Sequence, residues 1–269
     1  MKKLSNKKNL PKFLSKPKRK KVTLADSKTE KELNIKLAEK AKNFLSNHKE
    51  PSWNKNNSFL FSNRQTISRL LYINKLYEKI IDVPGVICEF GVHYGGNLPL
   101  LTNLRGVHEP YNYTRKIFGF DTFTGFKNDL TNAEKKIGWR QGDYGLPKNY
   151  EFFLDQVLKI HEFNAPIAHK KKYELIKGDV KKTFPKFLKD NSQLLISLVF
   201  FDLDLYKPTK FLLNKIIKLM PKGGIIAFDD INNPDFPGET EAFKEVIGLN
   251  KFKIHKDKNN PQQTWVQIK

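Results

Sequence analysis

Followed for its apolar positions, the chain passes from helical spacing to short buried runs. Leu33, Leu37, Ala41 and Leu45 recur at i, i+4 between residues 29 and 46, which predicts an amphipathic helix that packs on the domain or on a partner subunit. A second helix is predicted at Arg64 to Ile81, with Ile67, Leu70, Leu71, Ile73, Leu76 and Ile80 as its buried stripe. From there short apolar runs alternate with helical segments. The runs are Val86 to Phe90, Lys116 to Asp121, Tyr173 to Lys177, Ile196 to Asp202 and Gly224 to Asp230, with helices at roughly 96–104, 180–189, 208–219 and 239–248. Two last runs, Phe252 to His255 and Trp265 to Ile268, join through Asn259-Asn260-Pro261 and read as a hairpin. The pattern predicts an α/β fold, a doubly wound Rossmann-like seven-stranded sheet with a C-terminal β-hairpin.

Three regions follow. Residues 1–28 combine Lys, Asn, Ser and Pro and read as a basic disordered tail, residues 29–81 as N-terminal helices, and residues 82–269 as one α/β domain. Between the second and third strands lies a long insertion, 126–172. It opens polar and glycine-rich at Gly138 to Gly145 and continues as a helix from Tyr150 to Phe163. Long segments inside a compact domain tend to be functional, and this one leaves the sheet edge that carries the acids, so it is a candidate substrate lid.

Composition narrows the partners. The formal net charge is +21, and residues 1–22 hold ten Lys or Arg and no acid, which leaves +11 on the rest. Such a tail can meet RNA, ribosomes or an anionic surface by counterion release, yet Phe13 is its single aromatic residue for stacking. The lone cysteine, Cys88, lies inside the first strand, so no internal disulfide framework exists and a reducing, cytoplasmic setting is expected. No apolar run reaches the ~20 residues of a membrane span.

Each of the first five strands ends in acid: Glu89, Asp121, Asp179, Asp202, and Asp229 with Asp230. Core packing does not call for carboxylates there, whereas ligands of open α/β sheets bind at that edge. Asp121 can accept both ribose hydroxyls of an adenosine, and Asp179 can face the adenine amine. The first turn, Glu89-Phe-Gly91-Val-His-Tyr-Gly95-Gly96, is neither G-x-G-x-x-G nor a phosphate loop. Its carboxylate suits the cationic methionyl end of S-adenosylmethionine. Asp202, Asp229 and Asp230 follow neighbouring strands about 4.8 Å apart. Like charges ~4 Å apart repel by about 4 kcal/mol at an effective dielectric of about 20, so this group must take up protons or hold a cation. Oxygen-only ligands favour a hard divalent ion, Mg2+ in the first instance.

Five blocks carry a resemblance: Cys88 to Leu98, Ile117 to Phe126, Gly178 to Thr183, Asp202-Leu-Asp-Leu-Tyr-Lys-Pro-Thr209 and Pro221 to Asp230. Over roughly residues 64–250 they resemble the macrocin O-methyltransferase family, class I S-adenosylmethionine enzymes that methylate sugar hydroxyls. The run Phe228 to Thr240 is similar to a branch acting on nucleotide-linked 6-deoxyhexoses. The resemblance implies that Glu89, Gly91, Tyr94, Gly95 and Asn97 surround the methionyl part. It implies Asp121, Thr122 and Phe123 at the ribose, Asp179 and Val180 at the adenine, and Asp202, Asp229 and Asp230 on Mg2+. The histidine base of the family has no clear counterpart; His161 and His169 lie in the region without its motif.

The expected reaction is attack of a sugar hydroxyl, its pKa lowered by Mg2+, on the sulfonium methyl. Asp202 is the first candidate to take the proton and His169 the fallback. The expected partners are a small-molecule sugar and a second copy of the chain. The rivals are an RNA methyltransferase using the basic tail, a non-catalytic protein that kept the fold, and a nicotinamide enzyme.

Overall fold

The computed structural model describes residues 28–47, 57–260 and 262–269. Apart from Lys28 the expected basic tail lies outside them, as does Pro261 of the hairpin turn. The described chain falls into two compact units, one ending at Leu71 and the other running from Tyr72 to Lys269.

In the smaller unit, α1 (Lys28–Asn47) meets a 3-10 turn (Asn57–Phe61) through Phe44 and Phe61, whose ring centroids are 5.5 Å apart. Asn63 donates to the Asn34 side chain at 3.1 Å. The partly buried face of α1 is Asn34, Leu37, Ala41 and Phe44, while Leu33 and Leu45 of the expected stripe are exposed. The stripe is rotated because Phe44, the largest apolar group on the helix, finds the aromatic partner. Helix α2 (Arg64–Glu78) crosses the boundary. Its second half buries Tyr72, Ile73, Leu76 and Tyr77 in the larger unit, whereas Leu71 is exposed.

The larger unit is built on a seven-stranded sheet in the order β3-β2-β1-β4-β5-β7-β6. β1 (Val86–Phe90), β2 (Ile117–Asp121), β3 (Tyr173–Lys177), β4 (Ile196–Phe201) and β5 (Ile225–Phe228) are parallel. β7 (Thr264–Gln267) pairs antiparallel with β5 and with the short β6 (His255–Lys256). Helices α3 (Asn97–His108) and α5 (Tyr150–Asn164) belong to one layer, and α6 (Val180–Asp190), α7 (Tyr206–Ile216) and α8 (Pro237–Val246) to the other. Central strands are covered on both faces and so read as unbroken apolar runs. Alternation sends Ile87 into one core and Cys88 and Phe90 into the other. The Cys88 thiol is fully buried, which pushes its pKa up and makes it a core side chain.

One layer of this packing positions the site. Phe120, Phe90, Phe201 and Phe228 occupy matching registers on β2, β1, β4 and β5. Their rings stack across the sheet with centroids 4.8, 5.6 and 5.3 Å apart, and Phe184 of α6 stands edge-on against Phe90 and Phe120. Each such pair adds about 0.5–1.5 kcal/mol beyond its buried area. The next residue on each strand is Asp121, Gly91, Asp202 or Asp229. The phenylalanine ladder is thus a rigid floor under the acid-bearing edge.

The hairpin differs from the expectation: β6 begins at His255 rather than Phe252, because Phe252 and Ile254 pack on the second core cluster while His255 pairs with Trp265. The insertion contains a helix that the apolar pattern does not show, α4 (Asn132–Ile137). It is set by a capping box in which Thr131 accepts from the Glu134 amide and Glu134 accepts from the Thr131 amide. Among the described residues no helix is long and apolar enough to cross a membrane.

Candidate active site

The glycine turn after β1 is held from both sides. At Gly91, with φ 90°, an added Cβ would lie 1.8 Å from the Asp202 carbonyl oxygen, so only glycine lets the ends of β1 and β4 meet. At Gly95 a Cβ would strike the Leu154 methyls of α5 at 2.6 Å. Glu89, 1% exposed, accepts from the Asn97 side chain at 2.6 Å, which ties the strand to the first residue of α3. Tyr94 is exposed, and its carbonyl accepts from the Tyr150 hydroxyl at 3.0 Å.

Asp121 links two loops. Its carboxylate accepts from the His93 amide at 2.8 Å and from the Phe123 amide at 2.6 Å. A carboxylate offers about four lone-pair sites, so acceptor capacity remains for a ligand hydroxyl. Burial lowers the His93 pKa, against the opposing pull of Asp121. The Thr122 hydroxyl donates to Gly125 at 2.8 Å, and Phe123 is buried. Asp179 caps α6 by accepting from the Lys181 amide at 2.9 Å, and Val180 beside it is buried.

The acids after β4 and β5 adjoin at the backbone: the Asp229 amide donates to the Phe201 carbonyl at 3.0 Å, and the Asp202 amide to Phe90 at 2.9 Å. Their side chains take different partners. Asp229 accepts from Gln263 of the hairpin turn. Asp230, 7% exposed, accepts from Asn233 at 2.6 Å and shares a hydrogen bond with Asp204, an acid that the strand-end pattern does not single out. Fully buried Glu239 of α8 completes the group, accepting from the Leu203 and Asp230 amides at 3.0 and 3.3 Å. Burial first, then the charge of Asp229, raises the Asp230 pKa to about 6. Burial and the neighbouring Asp230 likewise push Asp204 and Glu239 well above the usual carboxylate range.

Among the described residues no three His, Cys, Asp or Glu side chains are arranged as a ready metal cage. What the edge offers is a donor set of carboxylate oxygens, the kind a hard divalent cation takes. His169 is exposed in the turn before β3, at the opposite, amino edge of the sheet, so the fold does not bring it to the acids. His161 on α5 meets Asn103 at 3.3 Å, also away from them.

The insertion docks on the same edge. Buried Glu134 accepts from the Tyr206 amide at 2.7 Å, capping the start of α7 just beyond Asp204. Trp139 donates to the Asp235 carbonyl at 2.9 Å and stacks on Phe236 with centroids 4.7 Å apart. The Phe126 amide donates to Asp143 and the Gly142 amide to Phe126, both at 2.9 Å. No spacing in the chain marks these contacts; the one local signal nearby, the Thr131 to Glu134 capping box, bears on α4 alone. Gln263 carries no signal, since packing of the hairpin brings it in, while Asn233 and Glu239 lie in the Phe228 to Thr240 run without any spacing that marks their contacts.

The arrangement is a glycine turn and the Asp121 carboxylate on one side and clustered carboxylates on the other, sharing one edge. The model of the family described as macrocin-O-methyltransferase (TylF) matches residues 19–259. A crystal structure of CalS11, calicheamicin methyltransferase, is 39% identical, covers 91% of this chain and 94% of its own, and superposes with a TM-score of 0.84. An apo structure of CalS11, described as a TDP-rhamnose 3'-O-methyltransferase of calicheamicin biosynthesis, is 36% identical, covers 91% of this chain and 96% of its own, with a TM-score of 0.78. The O-methyltransferase NovP, 18% identical over 75% of this chain and 80% of its own, shares the fold with a TM-score of 0.58. No curated protein matches the chain.

Proposed function

The chain belongs to the macrocin O-methyltransferase family, and from that membership we propose that it transfers the methyl group of S-adenosylmethionine to a hydroxyl of a nucleotide-linked 6-deoxyhexose, with Mg2+ assisting. The observation that carries the reading is the single row Asp121, Gly91, Asp202, Asp229 above the phenylalanine ladder. It brings Gly91, which has no side chain, against the backbone of the acid-bearing strand. The nucleotide-linked sugar is supported by the likeness to CalS11, a TDP-rhamnose 3'-O-methyltransferase.

In this reading Glu89 and Asn97 hold the methionyl end, where a carboxylate favours the cationic ammonium and sulfonium, with Gly91, Tyr94 and Gly95 around it. Asp121, Thr122 and Phe123 hold the ribose, and Asp179 and Val180 the adenine. Asp202, Asp229 and Asp230 would hold Mg2+, which when bound polarises the acceptor oxygen and eases loss of its proton. Asp202 takes that proton. The remaining work is positioning, since a hydroxyl aligned with the methyl group needs little further chemistry. The insertion excludes water over the acids. A cytoplasmic setting, the reducing one that a lone buried cysteine suits, goes with this reading. The RNA alternative rests on residues 1–22, which lie outside the described residues.

The test is incubation with S-adenosylmethionine, Mg2+ and a panel of nucleotide sugars, followed by mass spectrometry. One added methyl on a 6-deoxyhexose nucleotide is expected. No transfer to any sugar of the panel would refute the substrate class, and a rate undiminished by excess EDTA would refute the role of Mg2+.

A further inference from the structure

Tyr144 stands where three parts of the edge meet. Its ring lies 5.7 Å from His93 in the glycine turn, 5.3 Å from Phe126 after β2, and 6.4 Å from Phe236 in the loop beyond Asp229 and Asp230. Trp139 backs it at 5.7 Å. Trp139 and Phe236 are buried at 5% and 6% exposure, whereas Tyr144 keeps 38%, so the cluster presents this ring outward.

Its backbone is strained, with φ 62°, a region that bulky residues rarely adopt. The surroundings enforce the strain. A Cβ at Gly125 would lie 2.3 Å from the Asp143 carbonyl oxygen, and one at Gly145 would lie 3.0 Å from that of Gly142, so the turn is pressed against the segment after β2. The Thr124 to Gly145 bridge and the Phe126, Asp143 and Gly142 hydrogen bonds lock it there. Strain maintained by a rigid frame marks positions where placement of the side chain matters.

We propose that Tyr144 determines which acceptor sugar is used, by packing its ring on the C5–C6 edge of the pyranose and favouring a 6-methyl over a 6-hydroxymethyl group. This rests on the reading of the site as one for a nucleotide-linked 6-deoxyhexose. In that reading the acceptor hydroxyl lies between the glycine turn and the acids after β4 and β5, and Tyr144 is in ring contact with a residue beside each, His93 and Phe236. A methyl group leaves water for an aromatic face at no cost, whereas a hydroxyl gives up water hydrogen bonds that the ring face does not replace.

The test compares wild type, Tyr144→Asn and Tyr144→Phe on two nucleotide sugars that differ only at C6. Asn removes the ring yet tolerates positive φ, and thermal melting checks that each variant is folded. Wild type is expected to favour the 6-deoxy sugar by roughly 10- to 100-fold in kcat/KM, and Tyr144→Asn to bring the ratio within about threefold, chiefly by raising KM for that sugar. Tyr144→Phe should keep the preference, and calorimetry should show S-adenosylmethionine affinity unchanged in all. Equal losses on both sugars in Tyr144→Asn, or a wild type without preference, would overturn the inference. Wild type inactive on both sugars is a separate result that removes the substrate reading, and the inference with it.

Discussion

The two edges of the parallel sheet both gather charge under cover, and the main clusters on them treat it in opposite ways, although Asp257 at the carboxyl edge keeps a cation, Lys75, at 3.0 Å. At the amino edge every buried acid has a cation. Arg115, 2% exposed, donates to Glu109 at 2.8 and 3.0 Å, and also to Val83, Gly85 and Ser197. Arg105 forks onto Glu162 at 3.0 and 2.9 Å, and Lys172 pairs with the same carboxylate. At the carboxyl edge Asp204, Asp230 and Glu239 face one another, and among the described residues no lysine or arginine pairs with them. Paired and hydrogen-bonded charge specifies how helices seat on the sheet; unbalanced charge is a cost to folding that a ligand can offset. On the proposed function, the comparison separates residues that hold the fold from residues that would serve the reaction.

The sharpest way to break that division is at Asp229. Asp229→Ala is expected to lower methyl transfer by about two to three orders of magnitude while leaving S-adenosylmethionine binding and melting temperature nearly unchanged. Calorimetry and a melt, run beside the assay, separate these outcomes. A variant that loses cofactor binding would move Asp229 from the reacting end to the cofactor end.

The converse holds at the amino edge. Glu162→Ala leaves Arg105 and Lys172 buried without their shared carboxylate, and a broken buried pair costs about 3–5 kcal/mol. Urea unfolding should register that loss while kcat per folded molecule stays the same. A drop in kcat with stability intact would mean that the two edges are coupled through α3 and α5.

How much of this was legible in the chain follows the same division. β1 begins and ends where its apolar run predicts, because a buried parallel strand is a continuous run stopped by glycine or acid; β3, a half-buried edge strand, keeps its predicted bounds through Gly178 and Asp179 after it. The acids at the strand ends were visible for the same reason. Their side-chain partners were not, since Gln263 reaches Asp229 across 34 residues and Glu239 arrives on a separate helix. Asp204 sits within the Asp202 to Thr209 block, yet its pairing with Asp230 depends on a left-handed backbone at φ 62° that no spacing announces. The helix α4 is polar and six residues long, so only its capping box could have disclosed it.

A smaller effect tests whether the insertion belongs with the carboxyl edge. Trp139→Phe keeps the ring stack on Phe236 but removes the donor to the Asp235 carbonyl, a loss of about 1 kcal/mol. If the insertion positions the acceptor, KM for the sugar should rise more than stability falls. A change in stability alone would class the insertion with the amino edge.

The smallest effect lies on the exposed rim of the amino edge, at Asp155 of α5. Burial alone would raise its pKa, but hydrogen bonds from Lys159 and Tyr173 and the charge of Lys171 outweigh it and hold the carboxyl below its ordinary value. A depressed folded pKa means stability that is present above the unfolded value of about 3.9 and is lost as pH falls through the folded one. The pair is partly exposed, so Asp155→Asn should cost only about 0.2–1 kcal/mol at pH 7. Urea midpoints of wild type and variant should therefore differ slightly at neutral pH and converge below about pH 4. A gap that persists in acid would show that the Tyr173 hydrogen bond, and not the charge, accounts for the contribution of Asp155.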